Sequence, residues 1–182
     1  ESLVASRAVV NSAGLQSDLV AAMPGIDVDL EGYRLKLCKG SYFSASPPPR
    51  IRHLVYPVPM PKHEGLGVHA TLDLGGRVRF GPDVEYVDRI DYRVDEGKRD
   101  AFHGSILTYL PLLAKDSLSP DMCGIRPKLQ GPGEDIRDFV ISEESRLGLP
   151  GWVNLVGIES PGLTACMAIA KHVSNLVHQV MG

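Results

Sequence analysis

Long apolar runs are missing from these 182 residues: nothing approaches the roughly 18 to 20 consecutive apolar residues of a membrane-crossing helix. A basic segment followed by an apolar signal core is lacking as well, so the cytoplasm is the expected compartment. Charge of one sign is also absent. The 19 Lys and Arg are interspersed with 22 Asp and Glu, for a net charge of -3, which leaves no electrostatic footprint for nucleic acid or an anionic membrane. Small molecules or other proteins are the expected partners. Cysteine is scarce: Cys38, Cys123 and Cys166 are odd in number and widely spaced, which excludes a disulfide framework and a zinc pattern and suggests reduced core residues. The histidines show no HExxH-like spacing, so no metal is expected.

What is present is enough apolar content, 43%, for one sizeable domain or two small ones. "RAVVNSAG" (7–14) reads as a short β-branched strand. "LQSDLVAAMPG" then places Leu15, Leu19, Ala22 and Met23 on one helical stripe, stopped by Pro24 and Gly25. "YRLKLCKGSYF" (33–43) and "HLVYPVP" (53–59) suggest strands on either side of a proline loop. In "LGVHATLD", Leu66, Val68, Ala70 and Leu72 alternate with Gly67, His69, Thr71 and Asp73, and "LGG" turns the chain into "RVRFGP", predicting a half-buried hairpin. Asp95 suits a helix cap ahead of Phe102, Ile106, Leu110 and Leu113. "MCGIRPKLQ" and "DFVISE" read as a strand pair around "GPGED". A last helix from about Pro161 carries Leu163, Met167, Ala170, Val173, Val177 and Val180 on its apolar stripe.

The stretch "VNLVGIESPGLTACMAIAKHV" (153–173) runs an apolar strand through a glycine turn into that helix. A helix start leaves backbone amides unpaired and carries partial positive charge, so it can hold an anion or an electron-rich ring oxygen. Ser160 before Pro161 suits a cap followed by proline at the first helical position. Gly157 and Gly162 would let a flat ligand approach the backbone. Many such turns are only efficient connections, and spacing alone yields a candidate ligand-binding turn.

"GIESPGLTACMAIA", "GIRPKL", "LCKGSYF", "LVYPVP", "GLGVHATLDLGGRVRFGPDVE" and "VVNSAGL" together resemble the C-terminal half of the D-amino-acid oxidase superfamily of FAD-dependent oxidoreductases. The likeness is strongest to the branch of L-2-hydroxyglutarate dehydrogenases and related NAD/FAD-utilising dehydrogenases. The resemblance implies an α+β chain, α/β by superfamily: an antiparallel or mixed substrate-domain sheet with helices, plus terminal strand-helix pieces of an incomplete Rossmann-like FAD domain. Residues 1–25 would belong to the FAD domain and 26–120 to the substrate domain, with 121–182 returning to the flavin. Ala13 and Gly14 would pass near the cofactor. The turn Gly157, Ile158, Glu159, Ser160 would lie at the flavin pyrimidine end, where the amides of Gly162, Leu163 and Thr164 would stabilise charge on the reduced ring.

The pattern departs from the family in one respect: there is no βαβ unit with G-x-G-x-x-G and a following acidic residue. The sequence, opening at Glu1, therefore suggests a fragment that binds FAD weakly or not at all alone, its missing half being the expected partner. Within the likeness, His69 is the candidate base, since imidazole exchanges protons near neutrality; a hydrogen-bonded sheet histidine is the competing reading. Arg126 would grip a substrate carboxylate or face the flavin, against an ordinary surface ion pair. Tyr42 would present its phenol to the substrate or simply pack, and Lys39 would pair with an acidic substrate tail. Glu159 would assist the turn electrostatically. The implied activity is hydride transfer from the α carbon of a 2-hydroxy acid or amino acid to flavin. The alternative is a non-catalytic binding or assembly module that docks to a partner, or to its own copy, through apolar surface of its terminal elements.

Overall fold

The computed structural model describes residues 4–58, 65 and 67–182. The chain divides into two units, a discontinuous one of 1–37 with 126–182, and one of 38–125.

In the discontinuous unit, strand β1 (Val9–Asn11) runs parallel to β8 (Trp152–Val156), with Asn11 opposite Asn154. Strand β7 (Val140–Glu143) pairs antiparallel with β8, so the sheet order is β1-β8-β7 and β1 lies at an edge. A 3-10 turn over Gly14–Gln16 leads from β1 into α1 (Ser17–Ala22). The helix is where the spacing predicts it, but its stripe is reversed: Ser17, Asp18 and Ala21 are buried, while Leu19 and Met23 are exposed. Polar groups hold that face inward. Asp18 accepts from the Leu19 and Leu35 amides, and Asn11 donates to the Ser17 carbonyl. Ala21, Ile26, Val28, Tyr33, Leu35, Leu129 and Val156 form the apolar cluster of this unit.

Beside that cluster lies a hydrogen-bond relay that the sequence does not announce. Asn11 Nδ2 donates to Asn154 Oδ1 at 2.9 Å, and Asn154 Nδ2 donates to Glu144 Oε1 at 3.0 Å. Tyr33 donates to the same carboxylate oxygen at 2.9 Å. Glu144 is 0% exposed, and its other oxygen lies 3.4 Å from the Arg146 guanidinium. Burying a charge is costly unless it is paired and hydrogen-bonded, and these partners offset that cost. The Tyr33 hydroxyl is pushed above its ordinary pKa, first by burial and then by the neighbouring Glu144 carboxylate.

The last helix, α3 (Gly162–Met181), is present as expected, but its inward face is rotated about one position from the predicted stripe. Val173 is buried with Ile169, Leu176 and Val177 half-buried, whereas Leu163, Met167 and Ala170 are exposed. Pro161, not Ser160, takes the cap position; its φ of -99° and ψ of 38° are not helical, so the helix starts one residue later than "Ser cap, Pro first" requires. The expected pairing of "MCGIRPKLQ" with "DFVISE" is corrected too. The first lies in β6 (Leu118–Lys128), which pairs with β2, and the second becomes β7 on β8.

The second unit centres on a five-stranded sheet containing β2 (Lys36–Ala45), β3 (His69–Leu72), β4 (Val78–Gly81), β5 (Glu85–Val87) and β6, in the order β3-β4-β2-β5 with β6 also on β2. The predicted hairpin is β3-β4, with Ala70 opposite Phe80 and Leu72 opposite Val78; Leu66 lies outside the described residues. Helix α2 (Arg99–Leu107) follows a turn whose Asp95 accepts from the Gly97 amide at 2.8 Å. It inserts Phe102 and Ile106 into a core of Phe43, Ala45, Ala70, Val78, Phe80 and Leu118, with the Phe43 and Phe102 rings 4.6 Å apart. The strand expected over 53–59 reduces to one bridge, Val55 with Ala70, because proline carries no amide to donate and Pro57 follows two residues later; Pro59 is outside the described residues. Of the cysteines, Cys38 is buried, Cys123 half-buried and Cys166 exposed, so Cys166 is not a core residue.

Candidate functional site

Each unit holds some of the candidate residues. In the discontinuous unit, β8 ends at Val156, Gly157 turns with φ +74°, and α3 opens at Gly162. The missing Cβ at Gly157 faces Leu129, at 2.6 Å, and that at Gly162 faces Ile158, at 2.5 Å. These two glycines therefore serve close packing of the chain on itself, and the expectation that they clear room for a flat ligand is corrected. Gly14 is different: its φ is +58° and no atom lies within 4 Å of where a Cβ would stand.

The helix opening is similarly sorted. The Gly162 amide donates back to the Glu159 carbonyl, so it is already engaged, and Ala165 donates to Pro161. The Leu163 and Thr164 amides have no acceptor among the described residues. The Glu159 carboxylate is held by Lys128 at 3.0 Å and Arg126 at 3.3 Å. Arg126 thus spends its charge on Glu159 at a half-exposed position. A groove of about 640 Å³ runs beside the helix opening, lined by Val10, Ser12, Gly14, Ile158, Gly162 and Cys166 and continuing along α3 to His178. The open Gly14, the two unpaired amides and this groove fit a flat, electron-rich cofactor edge, whereas Gly157 and Arg126 are committed to their own chain. Ala13 and Ser160, flanking the two turns, are exposed.

In the second unit, alternation sorts the sheet into two faces. Lys39, Ser41, Phe43 and Ala45 share one face of β2, with Phe43 and Ala45 in the core beside α2. Tyr42 and Ser44 share the other. The two β2 candidates are therefore separated: Lys39 is buried and gives its ammonium to the Arg93 carbonyl at 2.5 Å, away from Tyr42.

On the face opposite α2, the β3-β4 register sets His69 across from Gly81 and Thr71 across from Arg79, and the β2-β4 register sets Ser44 beside Arg79. His69 is 7% exposed and stacks on Tyr56 at 4.2 Å. Its Nδ1 lies 3.0 Å from the Gly67 carbonyl, which can only accept, so Nδ1 is the donor of this contact and, in the neutral ring, Nε2 carries the lone pair. Gly81, opposite His69, serves close packing: a Cβ there would stand 2.6 Å from the Ser41 carbonyl oxygen and 2.8 Å from the Tyr42 ring. Arg79 completes the group, donating from Nε to Asp121 at 3.0 Å. Sequence reasoning singled out neither Arg79 nor Asp121. The "RVRF" alternation puts Arg79 on the His69 face once the hairpin is granted, but Asp121 is 42 residues away and carries no local signal. Among the described residues no helix is long and apolar enough to cross a membrane, and no three His, Cys, Asp or Glu side chains converge as a metal site.

A parallel strand pair feeding a glycine turn and a long helix, with an antiparallel-rich sheet in the sequence between, defines a mixed α+β fold. The chain belongs to the DAO family of FAD dependent oxidoreductases, whose description matches residues 1–176. It is similar to the mitochondrial L-2-hydroxyglutarate dehydrogenase of Arabidopsis thaliana, 45% identical over 92% of this chain and 37% of that protein. It is also similar to the L-2-hydroxyglutarate dehydrogenase of Salmonella houtenae, 25% identical over 93% of this chain and 47% of that protein. Among solved structures, the FAD-bound L-alpha-glycerophosphate oxidase of Mycoplasma pneumoniae shares its fold with a TM-score of 0.72, at 21% identity, over 94% of this chain and 42% of that one. The chain thus spans less than half the length of these relatives.

Proposed function

We propose that this chain supplies the substrate-facing sheet and one cofactor-facing helix of a FAD-dependent dehydrogenase or oxidase. Its substrate is a 2-hydroxy acid resembling 2-hydroxyglutarate, with an amino acid as the competing class. The observation that carries the reading is His69, whose Nδ1–H is fixed on the Gly67 carbonyl and whose Nε2 is left as an acceptor. A lone pair held in one place is what a general base needs. As the C2–H electron pair departs, Nε2 takes the hydroxyl proton and the C2–O bond becomes a carbonyl. Bound FAD supplies the hydride acceptor. Tyr42 packs against Gly81, the residue opposite His69, and the Leu163 and Thr164 amides offer donors to the cofactor. The names of the Arabidopsis and Salmonella relatives support the choice of substrate.

In this reading residues 1–25 and 121–182 belong to the cofactor domain and 26–120 to the substrate domain. The outer edge of β1, with Val9 and Val10 exposed, and the apolar groove along α3 receive the dinucleotide-binding half, which carries the G-x-G-x-x-G turn that these residues lack. Alone, the chain binds FAD weakly or not at all; self-association through the same surface is the alternative use of it. A cytoplasmic location is proposed beside the mitochondrial one that the name of the Arabidopsis relative suggests, and fluorescence of a tagged protein in cells distinguishes the two.

The test joins the chain to the dinucleotide-binding portion of the Arabidopsis relative and follows flavin absorbance. Bleaching by 2-hydroxyglutarate is expected, and its loss in His69→Gln. A folded, yellow chimera that no 2-hydroxy acid or amino acid bleaches, or a folded but colourless one, overturns the proposal.

A further inference from the structure

We infer that Lys128 is a positioning residue that sets the charge at the opening of α3, and through it the readiness of bound flavin to accept electrons; this rests on the reading of α3 as the cofactor-facing helix. Residues two apart on a strand share a face, so Arg126 and Lys128 leave β6 side by side, and both reach Glu159 in the turn before α3. All three lie in the discontinuous unit. Two cations on one carboxylate leave one positive charge over. The two contacts are unequal. Lys128 Nζ lies 3.0 Å from Glu159 Oε1, with the two side chains 11% and 13% exposed, whereas Arg126 Nη1 lies 3.3 Å from Oε2 with its side chain 46% exposed. A carboxylate and an ammonium that have both left water require each other. Lys128 is therefore the standing counter-ion of Glu159, and the arginine supplies the surplus.

That surplus stands where the chain is already electropositive. The Glu159 carbonyl accepts the Gly162 amide, so one residue both closes the first turn of the helix and anchors the ion cluster. The next two amides, of Leu163 and Thr164, have no acceptor among the described residues, and the unpaired amides of a helix start carry partial positive charge. Ile158 and Gly162, on either side of Glu159, line the groove of about 640 Å³, and Cys166 lines it about one turn further along α3. Reduction puts negative charge on a flavin ring, and a neighbouring positive charge favours the charged form. With the Lys128 charge removed, Glu159 cancels Arg126 and the cluster becomes neutral. With the Glu159 charge removed, the cluster carries two positive charges.

The experiment compares wild type with Lys128→Gln, Glu159→Gln, the two together, and Lys128→Arg, whose clusters carry one, zero, two, one and one positive charges in that order. The first arm uses the 182-residue chain and no flavin. Cys166 is the exposed cysteine, and its alkylation by iodoacetamide, followed by peptide mass spectrometry, reads the local charge because the thiolate is the reacting form. Glu159→Gln is expected to react roughly threefold faster than wild type and Lys128→Gln roughly threefold slower, with the double variant and Lys128→Arg at the wild-type rate. The second arm titrates the potential of the flavin-loaded chimera. The same order is expected, each unit of charge moving the reduced-to-oxidised ratio on the order of tenfold, about 30 mV for two electrons. A merely structural role predicts otherwise: both single variants then shift the same way, and the double variant is no better than Lys128→Gln. If Lys128→Gln does not melt cooperatively, the double variant, which buries no unpaired charge, is set against Glu159→Gln, and loss of the ammonium must lower both readings. Alkylation rates that ignore the charge, or single variants that shift the same way, overturn the inference and leave the oxidoreductase reading intact. Rates that follow the charge beside a flavin potential that does not move overturn the cofactor-facing reading of α3, and the inference with it.

Discussion

The two units bury opposite kinds of chemistry. The unit of 38–125 packs Phe43, Val78, Phe80, Phe102, Ile106 and Leu118 into an apolar cluster, and its buried ammonium, Lys39, is tied to a backbone carbonyl, that of Arg93. The discontinuous unit has its own apolar cluster but sets beside it a fully buried carboxylate, two buried asparagines and a tyrosine. An apolar core is specified by volume and shape and tolerates substitution of similar size. A buried polar relay is specified by direction, because each donor must meet its acceptor or cost the desolvation of both. The difference matches the tasks proposed for the units: a firm platform under a polar sheet face in one, and in the other a fixed register between β1 and β8 next to the turn that opens α3.

That contrast can be broken. The largest effect is expected from Phe102→Ala, which removes a fully buried ring tilted against Phe43 and should cost about 4 kcal/mol in urea melts. A loss below 1 kcal/mol would mean that the core is far looser than its packing. Next comes Glu144→Ala, which leaves Tyr33, Asn154 and Arg146 facing a void where their acceptor stood. A loss of about 3 kcal/mol is expected, and a neutral result would demote the relay to ornament. The smallest is a pH effect. Burial raises the Tyr109 hydroxyl to about 12, while it donates to the Val68 carbonyl. A group whose pKa is raised on folding contributes stability that is complete below its unfolded value, near 10, and is lost as pH rises through 12. Tyr109→Phe should flatten the alkaline decline of stability across that window, and an unchanged decline would assign it to other groups.

Much of the fold was legible because it follows from period and punctuation. The β3-β4 hairpin came from strict alternation around "LGG", α2 from Asp95 and the Phe102-Ile106 spacing, and α3 from a strand that ends in a glycine turn. The errors have a common cause. Reading apolar as inward put Leu19 and Met23 on the buried side of α1, when Asp18 and Ser17 occupy it through hydrogen bonds to partners distant in sequence. The same habit rotated the stripe of α3. Pairing neighbours in sequence joined β6 to β7, which belong to different sheets. Of the site, His69 and Tyr42 were visible as residue types in a resembling motif. What could not be read was direction: that Lys39 faces away from Tyr42, that Arg126 and Lys128 converge on Glu159, and that Gly157 and Gly162 accommodate Leu129 and Ile158.

The rung between Asn11 and Asn154 has a consequence for synthesis. Its two halves are separated by 143 positions, so the first strand emerges long before the strand that receives it. Until β8 leaves the ribosome, Glu144 has no Asn154 to accept from and Asn11 has only local company. The segment that carries β1 must therefore wait, unclasped, until the strand that receives it has been made.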